Sequence, residues 1–270
     1  MIDSWKDFAL KLFRTRDADP GYVALAGAEM PADQKKRFAV AWCTFYNLGI
    51  AAQASEFQGA RFWRYLNDQY APAARASERR HFRGNAGRNA LLAWELAYTN
   101  PEEMVDEITA ALPYYLYVRK EVRPIAQMGD YFVWKWCDLY EVLTGIHVDC
   151  SGPYAANHSP PTPQDGAKAI APEQSVEDTY QMIALHLQMN NVPAPPHYER
   201  PSDINEAETV CCVYKQLVSG KYVYGLRTAK ALKRLQSVQC PTSQLLIDAL
   251  LHKAHWTAAE LAQIYDAHHA

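Results

Sequence analysis

RPIAQMGDYFVWKWCDLY, residues 123–140, reads as the end of one helix, a tight turn at Met128-Gly129, and a second helix starting near Asp130. Pro124 should end or kink whatever precedes it, because proline lacks an amide hydrogen and its ring clashes with the preceding turn. Gly129 is expected to supply backbone freedom at the turn. Its small size would also let the amides of the new helix approach a phosphate.

Helical periodicity continues on both sides. Residues 35–70 place apolar side chains at three- and four-residue steps, as a pair of amphipathic helices separated near Gly59 requires. Leu91, Leu92, Trp94, Leu96 and Tyr98 suggest a buried helix, and Asn100-Pro101-Glu102-Glu103 looks like the capped start of the next. Residues 151–202 are rich in proline, glycine and small polar residues, and read as connecting structure with one helix, VEDTYQMIALHLQMN. Residues 206–236 and 242–268 are again helical in period. With no glycine-rich phosphate loop and no strand-helix alternation, kinases and dinucleotide-binding folds are excluded. The expectation is a mainly α protein, with a helical core over 1–150 and a Pro-rich connection plus C-terminal helices over 151–270.

A chain of 270 residues, 49% of them hydrophobic, can bury a substantial core without staples. The start, MIDSWKDFALKLF, mixes charges into its apolar positions, so neither a signal peptide nor a membrane partner is expected. The six cysteines (43, 137, 150, 211, 212 and 240) read as reduced thiols, and neither they nor the nine histidines show metal-ligand spacing. No metal or cofactor is expected. The net charge of −3 gives no overall bias toward a polyanion, but its distribution is uneven. Seven arginines (61, 64, 75, 79, 80, 83, 88) stand against Asp68 and Glu78, and six Lys or Arg lie between Thr209 and Ile247 with no acid among them. Two such stretches favour phosphate contacts.

The 123–140 stretch resembles the helix-hairpin-helix element of the endonuclease III and adenine glycosylase superfamily. There an apolar-Gly pair is followed by a helix and then by a catalytic aspartate after an apolar residue. Asp149 follows Gly129 by 20 residues and comes directly after Val148, matching that pattern. The resemblance implies a glycosylase-like helical fold, Asp149 as the catalytic carboxylate, and Gln127, Met128 and Gly129 at the DNA. The sequence departs from the pattern in having Gln127-Met128 where Gly-Val is usual. Tyr131 also stands where lyase-type members carry their lysine nucleophile, and the four-cysteine cluster is absent.

A second resemblance covers roughly residues 35–150. Thr44-Phe45-Tyr46-Asn47, Arg61-Phe62-Trp63-Arg64, Trp94-Glu95-Leu96-Ala97-Tyr98 and the run from Met128 to Asp138 look like the phage thymine-hypermodification enzymes. These are the amino acid:DNA transferases and the α-glutamyl/putrescinyl-thymine pyrophosphorylases. The resemblance implies transfer of an amino acid or polyamine to pyrophosphorylated 5-hydroxymethyluracil in double-stranded DNA, with pyrophosphate released. The host cytoplasm would be the location of a phage-encoded enzyme of this kind. Such chemistry asks for cations at the leaving group, a base for the amine, and a pocket for a flipped base.

Arg61, Arg64, Arg79, Arg80, Arg83 and Arg88 suit the first task through their planar forks, and Tyr46 and Asn47 join them as substrate-binding candidates. Asp149, Tyr131, Lys135 and Asp138 are the catalytic candidates. Lys135 and Asp138, three apart on a helix, fit a structural ion pair as well as a catalytic one. Trp134 and Trp136 read as core. A base-excision glycosylase and a non-enzymatic helical DNA-binding protein are the alternatives.

Overall fold

The computed structural model describes residues 4–76 and 84–269, with the side chains of all of these except 71–76, 153 and 154. In chain order the first helices are α1 (Trp5–Arg14), α2 (Pro20–Gly27), α3 (Ala32–Phe45), α4 (Leu48–Ser55), α5 (Gly59–Ala76), α6 (Gly84–Ala97), α7 (Pro101–Thr109), α8 (Tyr115–Val122) and α9 (Asp130–Thr144). Then come α10 (Pro153–Asn157), α11 (Pro161–Ile170), α12 (Val176–Met189), α13 (Ile204–Val218), α14 (Leu226–Gln236), α15 (Pro241–Lys253) and α16 (Ala258–His269). Among the described residues the only sheet pairs β1 (Pro193–Ala194) with β2 (Arg200–Pro201). About 70% of the chain is helical, so the mainly α class expected from periodicity is the class adopted. No helix among the described residues is long and apolar enough to cross a membrane.

Two compact units divide the chain. One combines Met1–Gly27, Asp149–Leu232 and Leu250–Ala270; the other combines Ala28–Val148 with Lys233–Ala249.

In the first unit α13 packs against α11 and α12. Its N-terminus is closed by a capping box: the Asp203 carboxylate accepts the Asn205 amide, and Glu206 reaches back to the Asp203 amide at 2.8 Å. The pairing of α11 with α13 is tight enough to exclude a side chain. A Cβ on Gly166 would lie 1.9 Å from the Cys211 carbonyl oxygen, so the two helices meet backbone to backbone. This corrects the reading of 151–202 as connecting structure with one helix. Three helices lie there, and α11 is part of the core; its prolines sit at the first turn, where a missing amide costs nothing. After α1, the carboxylate of Asp17 is fully buried and accepts from Tyr222 Oη, the Gly225 amide, and both the amide and hydroxyl of Thr228. It satisfies the opening amides of α14 from a distant part of the chain.

In the second unit α3 packs on α4, α7 and α9, around Phe38, Phe45, Phe62, Trp63, Trp94 and Trp136. Burying each such ring contributes about 2–3 kcal/mol. The 35–70 segment holds three helices rather than the expected pair. The break at Gly59 is present (φ 48°), and an earlier one falls at Tyr46, which is left-handed at φ 53°. Helix α6 buries Ala90, Leu91 and Trp94 but leaves Leu92 and Leu96 43% and 89% exposed, so its apolar run is only partly core.

Candidate functional site

A helix, a turn and a second helix form over this stretch, in the second unit. Helix α8 ends at Val122, just before Pro124, and a turn closed by Ile125 O and the Met128 amide (2.9 Å) leads to α9. The left-handed residue of this turn is Gln127 (φ 61°), whereas Gly129 has φ −76° as the N-cap of α9. The conformational freedom assigned to Gly129 is therefore not used. The turn needs its positive φ two residues earlier, and a Cβ on Gly129 would make only ordinary contact, 3.5 Å from Arg123 Nη1. Met128 is 1% exposed and its sulfur accepts the Trp136 indole N–H at 3.2 Å, so its side chain belongs to the core and not to a DNA surface. Gln127 is exposed.

Asp130, at the positive end of α9, draws two guanidinium groups to the turn. Arg119 Nε is 3.3 Å and Arg123 Nε 3.7 Å from its Oδ1. These two arginines were not anticipated. Their signal was present in the four-residue spacing at the end of α8, followed by an acid at the start of α9.

Tyr131, Lys135 and Asp138 recur at the four- and three-residue steps that put them on one face of α9. Tyr131 meets Tyr46 edge-on, with ring centroids 6.3 Å apart, and Tyr46 stacks on Trp42 at 5.4 Å. The Tyr46 carbonyl accepts from Arg234 Nη1 at 3.1 Å. Asn47 Oδ1 accepts the amides of Gly49 and Ile50, which makes Asn47 the N-cap of α4; its carbonyl oxygen is committed to the fold. Lys135 is 7% exposed, and its Nζ lies 3.6 Å from Asp138 Oδ2, an ion pair beyond hydrogen-bond length. Trp134 and Trp136 are core, as expected.

The Arg61-Phe62-Trp63-Arg64 block splits by side. Phe62 and Trp63 point into the unit at 0% and 1% exposure, while Arg61 and Arg64 are exposed on α5 and make no side-chain hydrogen bond or ion pair among the described residues. Asn67 Nδ2 on α5 reaches Glu95 Oε2 on α6, and the Tyr70 hydroxyl donates to Gly84 O, so α6 and its exposed Arg88 are tied to α5. Arg79, Arg80 and Arg83 lie outside the described residues.

A carboxylate–imidazole pair was also not anticipated. His147 Nδ1 sits 2.8 Å from Oε2 of the buried Glu141. Gly145 ends α9 in the left-handed region (φ 73°), and the chain folds back across its last turn. No histidine spacing in the sequence marks this pairing, which depends on the reversal at Gly145.

The match to known proteins is extensive. Residues 1–223 fit the family model for the amino acid:DNA transferase. The chain belongs to that family. Two relatives of the transferase are phage enzymes. It is 26% identical to a putrescinyltransferase of Delftia phage PhiW-14 over 230 residues, covering 80% of this chain and 73% of the relative. It is 29% identical to a glycinyltransferase of Pseudomonas phage PaMx11 over 249 residues, covering 81% and 85%. In the transferase, Asp149 opens the Asp149–Leu232 segment of the first unit. Its carboxylate is exposed, with Oδ1 accepting the Ser151 amide at 2.8 Å.

Proposed function

We propose that the transferase joins a primary amine, from an amino acid or a polyamine, to 5-hydroxymethyluracil that carries a pyrophosphate in double-stranded DNA. The amine nitrogen bonds to the exocyclic carbon as the carbon–oxygen bond breaks. The electron pair of that bond leaves with pyrophosphate, and the nitrogen gives up one proton. The observation that carries this reading is the pair Arg61 and Arg64, exposed side by side on α5 with no carboxylate partner among the described residues. Guanidinium groups at a three-residue step suit the oxygens of a leaving pyrophosphate, whose charge grows in the transition state. Arg88 is also exposed, on α6, and Arg79, Arg80 and Arg83 belong to the same stretch of sequence.

The remaining roles are assigned by chemistry. Asp149, exposed, takes the amine proton. Tyr131, half-exposed beside Tyr46, donates a hydrogen bond to the base or its phosphate. The Lys135–Asp138 pair supports the same face of α9 electrostatically. Gln127 and the backbone at Gly129, with Arg119 and Arg123, meet the DNA backbone. The names of the relatives, a putrescinyl- and a glycinyltransferase, support an amine as the group transferred.

The test is incubation with pyrophosphorylated 5-hydroxymethyluracil DNA and a mixture of amino acids and polyamines, followed by mass spectrometry of the nucleosides. A new amine adduct is expected, with pyrophosphate release that needs both amine and modified DNA. Abasic sites in place of adducts would replace this reading with base excision.

A further inference from the structure

The first unit holds polar groups that its own hydrogen bonds leave unmet. Asn205, in the first turn of α13, is 4% exposed, and neither its Oδ1 nor its Nδ2 has a hydrogen-bond partner among the described residues. The capping box already satisfies this helix end, so the side chain is not needed there. The Tyr198 hydroxyl is likewise buried without a partner, under a ring that carries the Arg16 guanidinium at 5.0 Å. A buried polar group left unpaired costs folding free energy, and an apolar residue of similar size would avoid that cost.

These groups adjoin a charged cluster. Thr209 is one turn beyond Asn205 on the same face of α13, and its hydroxyl donates to Asp19 Oδ2 at 2.7 Å. Arg227 Nη2 donates to Asp19 Oδ1 at 2.8 Å, and the buried Asp17 lies two residues before Asp19. Burial, with Asp19 and Asp17 nearby, pushes the Tyr198 phenol well up and keeps it protonated as a donor. Two buried carboxylates stand with Arg227 among them, while Arg16 is exposed. Two carboxyl groups face one guanidinium in the buried set, and burial pushes the Asp17 carboxyl up, a shift that a cation nearby would counter.

We propose that this cluster holds the primary ammonium group of the amine co-substrate, with Asn205 Oδ1 accepting from the ammonium while Asn205 Nδ2 and the Tyr198 hydroxyl bind the rest of the molecule. The assignment rests on the amine-transfer reading above. An amino acid and a polyamine share the ammonium and differ at the far end, so one site fits either source.

The test is equilibrium dialysis of radiolabelled glycine and, separately, radiolabelled putrescine against the full chain, its Asn205→Leu variant and its Tyr198→Phe variant. Wild type should bind one of the two amines. Asn205→Leu should weaken that binding about tenfold or more, and Tyr198→Phe should weaken it less. Without ligand, Asn205→Leu should melt no lower than wild type, because it removes an unmet amide. Should that variant fail to fold, Tyr198→Phe, which removes one oxygen, carries the comparison. Equal affinity in wild type and variants overturns the inference. So does the absence of binding by either amine to wild type, the result expected if Asn205 holds only water. If neither amine binds while adducts still form on modified DNA, this inference falls and the function stands. If binding depends on Asn205 but no adduct forms, the function falls and the site stands.

Discussion

His147 Nδ1 lies 2.8 Å from Glu141 Oε2, a contact between the last turn of α9 and the residue two places before Asp149. Glu141 is 6% exposed, so the pair braces the chain where it leaves the helix. Glu141→Ala should cost about 1–3 kcal/mol in urea denaturation, because it strips the imidazole of a buried partner. Glu141→Gln should recover most of that loss. Transfer activity should fall in the alanine variant with little change in DNA affinity. Weakened DNA binding without loss of stability would assign the pair to DNA contact.

Asp149→Asn removes a proton acceptor while keeping volume and hydrogen-bonding shape. The amine adduct should fall by about 10²–10⁴ in rate, the usual contribution of a general base, with DNA binding within about twofold of wild type. Adduct formation at the wild-type rate would free Asp149 from catalysis.

Arg61→Ala and Arg64→Ala separate a leaving-group role from a backbone role. As proposed, each should weaken binding to pyrophosphorylated DNA more than to unmodified DNA, since only the former offers the extra anion. Equal losses on both DNAs, with a salt slope shallower by about 1, would place these arginines on ordinary phosphates. A titration on both DNAs across a salt series reads the difference.

Arg200 grips Glu206 through both guanidinium nitrogens, each at 3.0 Å, and burial pushes the Glu206 carboxyl up to about 7 against that pull. With the folded value above the unfolded one, the contribution of this group is fully present below about 4.5 and declines as pH rises through about 7. Arg200→Met removes the pull and raises the carboxyl further. The destabilisation should therefore be larger at pH 8, where the wild-type carboxyl is mostly ionised and the variant's must take up a proton, than at pH 5. Urea melts at the two pH values decide, and a loss independent of pH would mean that packing, not charge, is what Arg200 contributes.

Gly166→Ala should destabilise by about 1–3 kcal/mol or more, because its methyl group would overlap the Cys211 carbonyl and force α11 away from α13. Thermal melting checks it. An unchanged midpoint would show that the two helices separate at little cost.

Much of the helical layout was legible because it depends on neighbours in sequence. Period 3.6, the proline at 124 and the break at Gly59 are local signals, and each has its counterpart in α8, α9 and α5. The 151–202 region misled because its prolines look like loop residues until α13 is available for α11 to pack against. The backbone contact at Gly166 is made across 45 residues of chain.

By itself, the sequence determined that the protein is mainly α, that one helix ends before a turn near Met128-Gly129 and another starts near Asp130, and, through its resemblance, the kind of chemistry to expect. Only the tertiary structure decided which candidate side chains are available. Met128 is buried against Trp136 and Asn47 caps α4, whereas Arg61 and Arg64 are exposed. It also brought together Glu141 with His147, and Thr209 and Tyr198 with the Asp17–Asp19 cluster. Exposure and pairing depend on which distant segments cover a residue, and no local spacing encodes that.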